Sequence, residues 1–107
     1  MTLQAQLPPS SSKRSALEVH TELAAVLNEH IGGWADTEAL GKVQRLCSRL
    51  RDSRNVALSE KAHSIEQTAS ILYSERKHSR YNGGVQAVRG FLWNDMTSLW
   101  IVIDGME

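Results

Sequence analysis

The chain has 107 residues, 41% of them apolar and 22% charged, with twelve basic residues balanced by twelve acidic ones. That length holds one domain and one modest core, and the formal net charge of +0 removes any broad electrostatic pull toward DNA, RNA or an anionic bilayer. The single cysteine, Cys47, excludes an internal disulfide and fits a reducing, cytoplasmic setting, and the longest wholly apolar run, residues 99–103, falls far short of the ~20 residues that cross a bilayer.

Residues 1–14 contain Pro8, Pro9 and three consecutive serines, Ser10 to Ser12. Few of their side chains could anchor to a core, so they read as a disordered tail. They carry neither the basic nor the apolar region of a signal peptide. Residues 15–107 then read as a single all-α domain, a small bundle of about four helices.

The first helix is expected to start at Ser15, because Ser15 and Glu18 have the spacing of a capping box. Leu17, Val19, Leu23, Val26, Leu27 and Ile31 follow at mostly helical intervals, and Gly32-Gly33 supplies a stop. The second helix opens at Asp36 or Thr37 and carries the stripe Leu40, Val43, Leu46, Cys47 and Leu50. The third is expected from Ser59 to about Arg80. Its seam Leu58, Ala62, Ile65, Ala69 and Leu72 repeats at four, three, four and three, and Asn82-Gly83-Gly84 ends it. The fourth spans about residues 85–102, with Val85, Val88, Leu92, Met96 and Leu99 on one face. Residues 99–103 also suit a short strand, but no second strand-like segment is present to pair with it.

The candidate chemical groups do not assemble into a known constellation. Glu60 and His63 have the spacing of half a di-iron helix motif, which such a site needs twice. The histidines His20, His30, His63 and His78 show no zinc spacing, and one cysteine cannot complete a Cys/His cluster. Cys47 lies on an apolar face, the place of a small hydrophobe rather than of a nucleophile. The two Gly-Gly pairs follow no strand and continue into no phosphate-binding pattern. No catalytic residue, metal or cofactor is therefore expected.

Lys42, Arg45, Arg49, Arg51 and Arg54 make the second helix locally basic, and helices two and three could be read as a helix-turn-helix. The connection is longer than that motif uses, and Glu60, Glu66 and Glu75 dilute the charge. DNA binding by this basic face is accordingly the alternative, not the primary reading. A helical secretion chaperone is a further alternative.

The fourth helix is apolar on more than one face. Between Phe91 and Ile103 the polar residues are Asn94, Asp95, Thr97 and Ser98, and the stretch holds two of the three tryptophans. Surplus apolar surface of this kind marks a bundle centre or an interface, and aromatic anchors are typical of protein–protein hot spots. The expected partner-binding residues are Ile65, Ala69, Leu72, Tyr73 and Arg76 on the third helix, with Phe91, Trp93, Met96 and Trp100 on the fourth.

The Pro/Ser-containing tail, the capped helix ending at Gly32-Gly33, the segment from His63 to Tyr73 (HSIEQTASILY) and the aromatic segment from Phe91 to Trp100 (FLWNDMTSLW) together resemble the small quorum-sensing antiactivators of pseudomonads that target LasR-type transcription factors. The resemblance spans nearly the whole chain in size, character and helix order. It implies an all-helical homodimer that binds the ligand-binding domain of a LuxR-type activator and blocks the activator's own dimerisation, so that DNA binding is lost.

Overall fold

The four segments with helical periodicity are α-helices in the computed structural model, which describes residues 11–31, 35–74 and 83–106. They are α1 (Ser11–Glu29), α2 (Thr37–Arg51), α3 (Val56–Leu72) and α4 (Gly84–Asp104). No strand occurs among the described residues. Residues 99–103 continue α4, and Leu99 and Ile103, one turn apart, are both fully buried. Among the described residues no helix is long and apolar enough to cross a membrane.

Several boundaries differ from the sequence expectation, each for a physical reason. α1 starts at Ser11, so residues 11–14 are helix and not tail, and Ser15 lies inside the helix rather than capping it. Tertiary contact secures this early turn: Ala16 and Val19 are buried and the Lys13 ammonium donates to the Met106 carbonyl at 3.1 Å. α1 ends at Glu29; Gly32, Gly33 and Trp34 lie outside the described residues. α2 has the expected cap, with the Asp36 carboxylate accepting from the Ala39 N–H at 3.0 Å. α3 starts three residues earlier than Ser59, because the Asn55 carboxamide already caps the Leu58 N–H at 3.1 Å. It stops at Leu72 instead of reaching Arg80, and residues 75–82 lie outside the described residues. Gly83, expected within a stop signal, is the N-cap of α4 at φ 91°, a left-handed conformation that favours glycine.

The helices form a closed ring in which each packs on its two neighbours, with their buried side chains meeting in one core. Neighbours run antiparallel. Arg49 near the end of α2 pairs with Glu18 and Glu22 on the first half of α1. Ser64 and Thr68 on α3 donate to Asp95 on α4 at 3.1 and 2.8 Å. Arg89 near the start of α4 donates to the Leu27 and Ile31 carbonyls at the end of α1. Each helix turns one stripe inward: Val19, Leu23 and Leu27 from α1, Val43, Cys47 and Leu50 from α2, Leu58, Ile65 and Leu72 from α3, and Val88, Leu92, Met96, Leu99 and Ile103 from α4. Each fully buried Leu or Ile contributes about 1.5–3 kcal/mol. The fully buried alanines Ala39, Ala62 and Ala69 let neighbouring backbones approach.

At one end a polar clasp joins all four helices. Tyr73 leaves the α3 spiral, and its phenol donates to the His30 carbonyl at 2.8 Å. Its own carbonyl accepts from the Asp36 N–H at 3.1 Å. The His30 Nδ1–H donates to the Asp36 carboxylate at 2.8 Å, and Arg89 reaches in from α4. Burial pushes the Tyr73 phenol up to about 12, with Arg89 opposing and Asp36 reinforcing the shift. The Ala39 N–H holds Asp36 below the usual carboxylate range, against the effect of burial and with help from His30 and Lys42.

Candidate protein-interaction face

α4 has two distinct faces. Val88, Leu92, Met96, Leu99 and Ile103 form the core stripe. Opposite lie Gly90, Asn94, Thr97 and Ile101, spaced by four, three and four, and all exposed. Trp93 and Trp100 flank this line on the side of α1, and Phe91 flanks it on the side of α3. Phe91 is 50%, Trp100 44% and Ile101 65% exposed, whereas Trp93 is half-buried.

Between Gly90 and Ile101 the outer face carries no charge, because the neighbouring Asp95 and Arg89 are directed elsewhere; exposed Asp104 continues the line at the end of the helix. Asp95 is committed to Ser64 and Thr68, and Arg89 to the end of α1. Trp100 is fixed from the side by His20, whose ring centroid lies 5.8 Å away at an interplanar angle of 54°. The His20 Nε2 lies 3.1 Å from the Met96 carbonyl, an acceptor only, so that nitrogen carries the proton. The other large exposed apolar residues are Val56 at the start of α3 and Ile31 after α1, whose carbonyl accepts from Arg89 at 3.1 Å.

The structure divides the expected partner-binding residues. Phe91, Trp93 and Trp100 are at least partly exposed on α4 but are not brought together, Trp93 and Trp100 lying on its α1 side and Phe91 on its α3 side. Ile65, Ala69 and Leu72 are fully buried between helices of the same chain, as is Met96 to within 1%. Tyr73 is buried in the clasp. These five pack the bundle's own interior and offer no surface to a partner while it stands, which corrects their assignment to an interface. Arg76 lies outside the described residues. Ile101, Gly90, Asn94 and Thr97 are not among the expected residues, although a signal was present: an uncharged repeat of four, three and four interleaved with the core repeat.

Among the described residues the other candidate groups form no constellation; His78 lies outside them. Cys47 is fully buried, and burial pushes its thiol up to about 12 despite Arg51, so it stays a thiol at neutral pH. Among the described residues no three of His, Cys, Asp and Glu come close enough to hold a metal ion. Three of the basic residues on α2 are paired: Lys42 with Glu38 at 3.4 Å, Arg49 with Glu18 and Glu22, and Arg51 with Glu66. Helices α2 and α3 form an antiparallel hairpin rather than the crossed pair of a helix-turn-helix. No protein-family model, curated protein or solved structure matches the chain.

Proposed function

We propose that this protein is a non-enzymatic cytoplasmic regulator that acts by protein–protein contact through the outer face of α4. The observation that carries the reading is the exposure of Phe91, Trp100 and Ile101, with half-buried Trp93, across the outer half of α4, where no outward-facing charge occurs between Gly90 and Ile101, beside a core already filled by the opposite face of the same helix. Aromatic side chains gain most from desolvation at a contact, and a face without charge forfeits no ion hydration when covered. The resemblance to quorum-sensing antiactivators supplies the partner class, the ligand-binding domain of a LuxR-type activator. The mechanism is competition: α4 covers a surface that the activator needs for its own dimerisation, and DNA binding is lost as a consequence.

Calorimetric titration of such a domain with the Phe91→Ala/Trp100→Ala double variant tests the reading. Loss of at least ~2 kcal/mol, about thirtyfold in affinity, is expected if these are hot-spot anchors. Unchanged affinity with an intact fold refutes it. The DNA-binding alternative gains no support, because Lys42, Arg49 and Arg51 on the basic face it needs are paired with carboxylates.

A further inference from the structure

Resting on the reading that the outer half of α4 is a contact surface, we propose that Ser64 and Thr68 on α3 are positioning residues of that surface. Their hydroxyls hold the Asp95 carboxylate against α3 and supply its hydrogen bonds from within the chain. A partner can then cover the outer half of α4 without stripping water from a free carboxylate. Asp95 is the one ionic residue between Gly90 and Ile101. It lies one turn after Phe91 and one turn before Ser98, on the α3 side, at the edge of the charge-free line. A half-buried carboxylate at that place keeps a hydration shell unless other donors replace it, and covering it unreplaced opposes any contact.

The donors that replace it are placed by α3. Ser64 and Thr68 are four residues apart, so both stand on one face of that helix, toward α4. The Ser64 hydroxyl donates to one carboxylate oxygen at 3.1 Å and the Thr68 hydroxyl to the other at 2.8 Å. The Thr68 hydroxyl also lies 3.0 Å from the Ser64 carbonyl, which fixes it on the helix. Both donors are neutral. Among the described residues no Lys, Arg or His pairs with Asp95. A cation in their place would satisfy the carboxylate only by bringing a second charge to the same edge. The hydroxyl pair satisfies it through charge-assisted bonds and adds no charge. Arg89, the other ionic neighbour, is held by the main-chain carbonyls of Leu27 and Ile31, which no substitution removes. The hold on Asp95 rests on side chains and can be taken apart one donor at a time.

Native hydrophobic-interaction chromatography of the full chain on a phenyl resin reads the surface without any partner. Ser64→Ala/Thr68→Val deletes both hydroxyls and adds no polar atom, so hydroxyls that only join two helices predict equal or longer retention. Release of the Asp95 carboxylate toward solvent predicts the opposite, elution earlier and at higher salt. Asp95→Asn in that background should bring retention back to the wild-type position or beyond it. Thr68→Val alone keeps the side-chain shape and the Ser64 donor; it should give a smaller shift of the same sign, and it replaces the double variant if circular dichroism shows that one unfolded. In calorimetric titration with a LuxR-type ligand-binding domain, the double variant should bind about tenfold more weakly than the wild type. The triple variant should return to within about threefold. Retention that is unchanged or longer, or a triple variant no better than the double, overturns the proposal. Binding lost on Phe91→Ala/Trp100→Ala but unmoved by Ser64→Ala/Thr68→Val removes the role of the hydroxyls and leaves the contact surface standing. Early elution of the double variant, with binding indifferent to every one of these substitutions, upholds the hold on Asp95 and refutes the contact surface that it serves.

Discussion

Replacing Tyr73 by phenylalanine isolates one bond of the clasp. The ring is 3% exposed and its packing is kept; what disappears is the hydroxyl that donates to the His30 carbonyl at 2.8 Å. A neutral hydrogen bond of this kind contributes about 1 kcal/mol net, and the half-buried carbonyl left without its donor adds part of a desolvation penalty, for a loss of about 1–2 kcal/mol. For a chain of this size that corresponds to a fall in thermal midpoint of about 5–10 °C. Urea unfolding followed by far-UV circular dichroism measures the free energy, and an unchanged m-value confirms that the unfolding reaction is the same. Hydrogen exchange supplies a local readout: the Asp36 amide, which donates to the Tyr73 carbonyl at 3.1 Å, should lose protection more than the Leu99 amide in the middle of α4. A stability change below ~0.3 kcal/mol, or equal loss of protection at both amides, would show that the phenol does not tie α3 to the end of α1.

The same end of the bundle predicts acid sensitivity. The folded state holds the Asp36 carboxyl below its ordinary value, so its contribution is complete above the unfolded value of ~3.9 and is lost as pH falls through the lower folded value; unfolding free energies measured from pH 6 down to 2 should fall in that window for the wild type and less steeply for Asp36→Asn. Gly41 interrupts α2, and a Cβ there would sit 3.5 Å from the Arg45 guanidinium, an ordinary contact. Gly41→Ala should therefore stabilise by about 0.5–1 kcal/mol, read as a higher urea midpoint, and a lower midpoint would mean that the glycine serves packing not apparent in the fold.

Local signals made α2 and the interior of α4 legible. The Asp36 cap and the repeat Val43, Leu46, Cys47, Leu50 operate within a few residues, and so does the repeat Val88, Leu92, Met96, Leu99. The end of α3 was not legible, because Tyr73 is drawn out of the helix by groups on the α1–α2 connection, His30 and Asp36, 43 and 37 residues away in sequence. The capping box at Ser15 and Glu18 was a sound local signal that lost to the burial of Ala16 and Val19. The candidate site was half visible. Surplus apolar residues marked α4, but Met96 belongs to the apolar repeat with Val88, Leu92 and Leu99, and that repeat is filled by the core before it can face a partner. On α3 the seam of Leu58, Ala62, Ile65, Ala69 and Leu72 proved to be the core itself, since a small bundle needs such a seam before it can offer one to a partner.

The seam between α1 and α4 is held by three side chains: Lys13 reaches Met106, His20 reaches Met96, and Arg89 reaches Leu27 and Ile31. Every acceptor is a main-chain carbonyl, which any residue supplies. Such a seam ages unevenly under mutation. Its three donors are each exposed to loss by a single substitution, whereas Met106 and Ile31 can drift in identity without touching the bond. In a saturation scan scored for folding, positions 13, 20 and 89 should accept few replacements and positions 31 and 106 many, so that α1 and α4 stay registered while the residues at the receiving ends turn over.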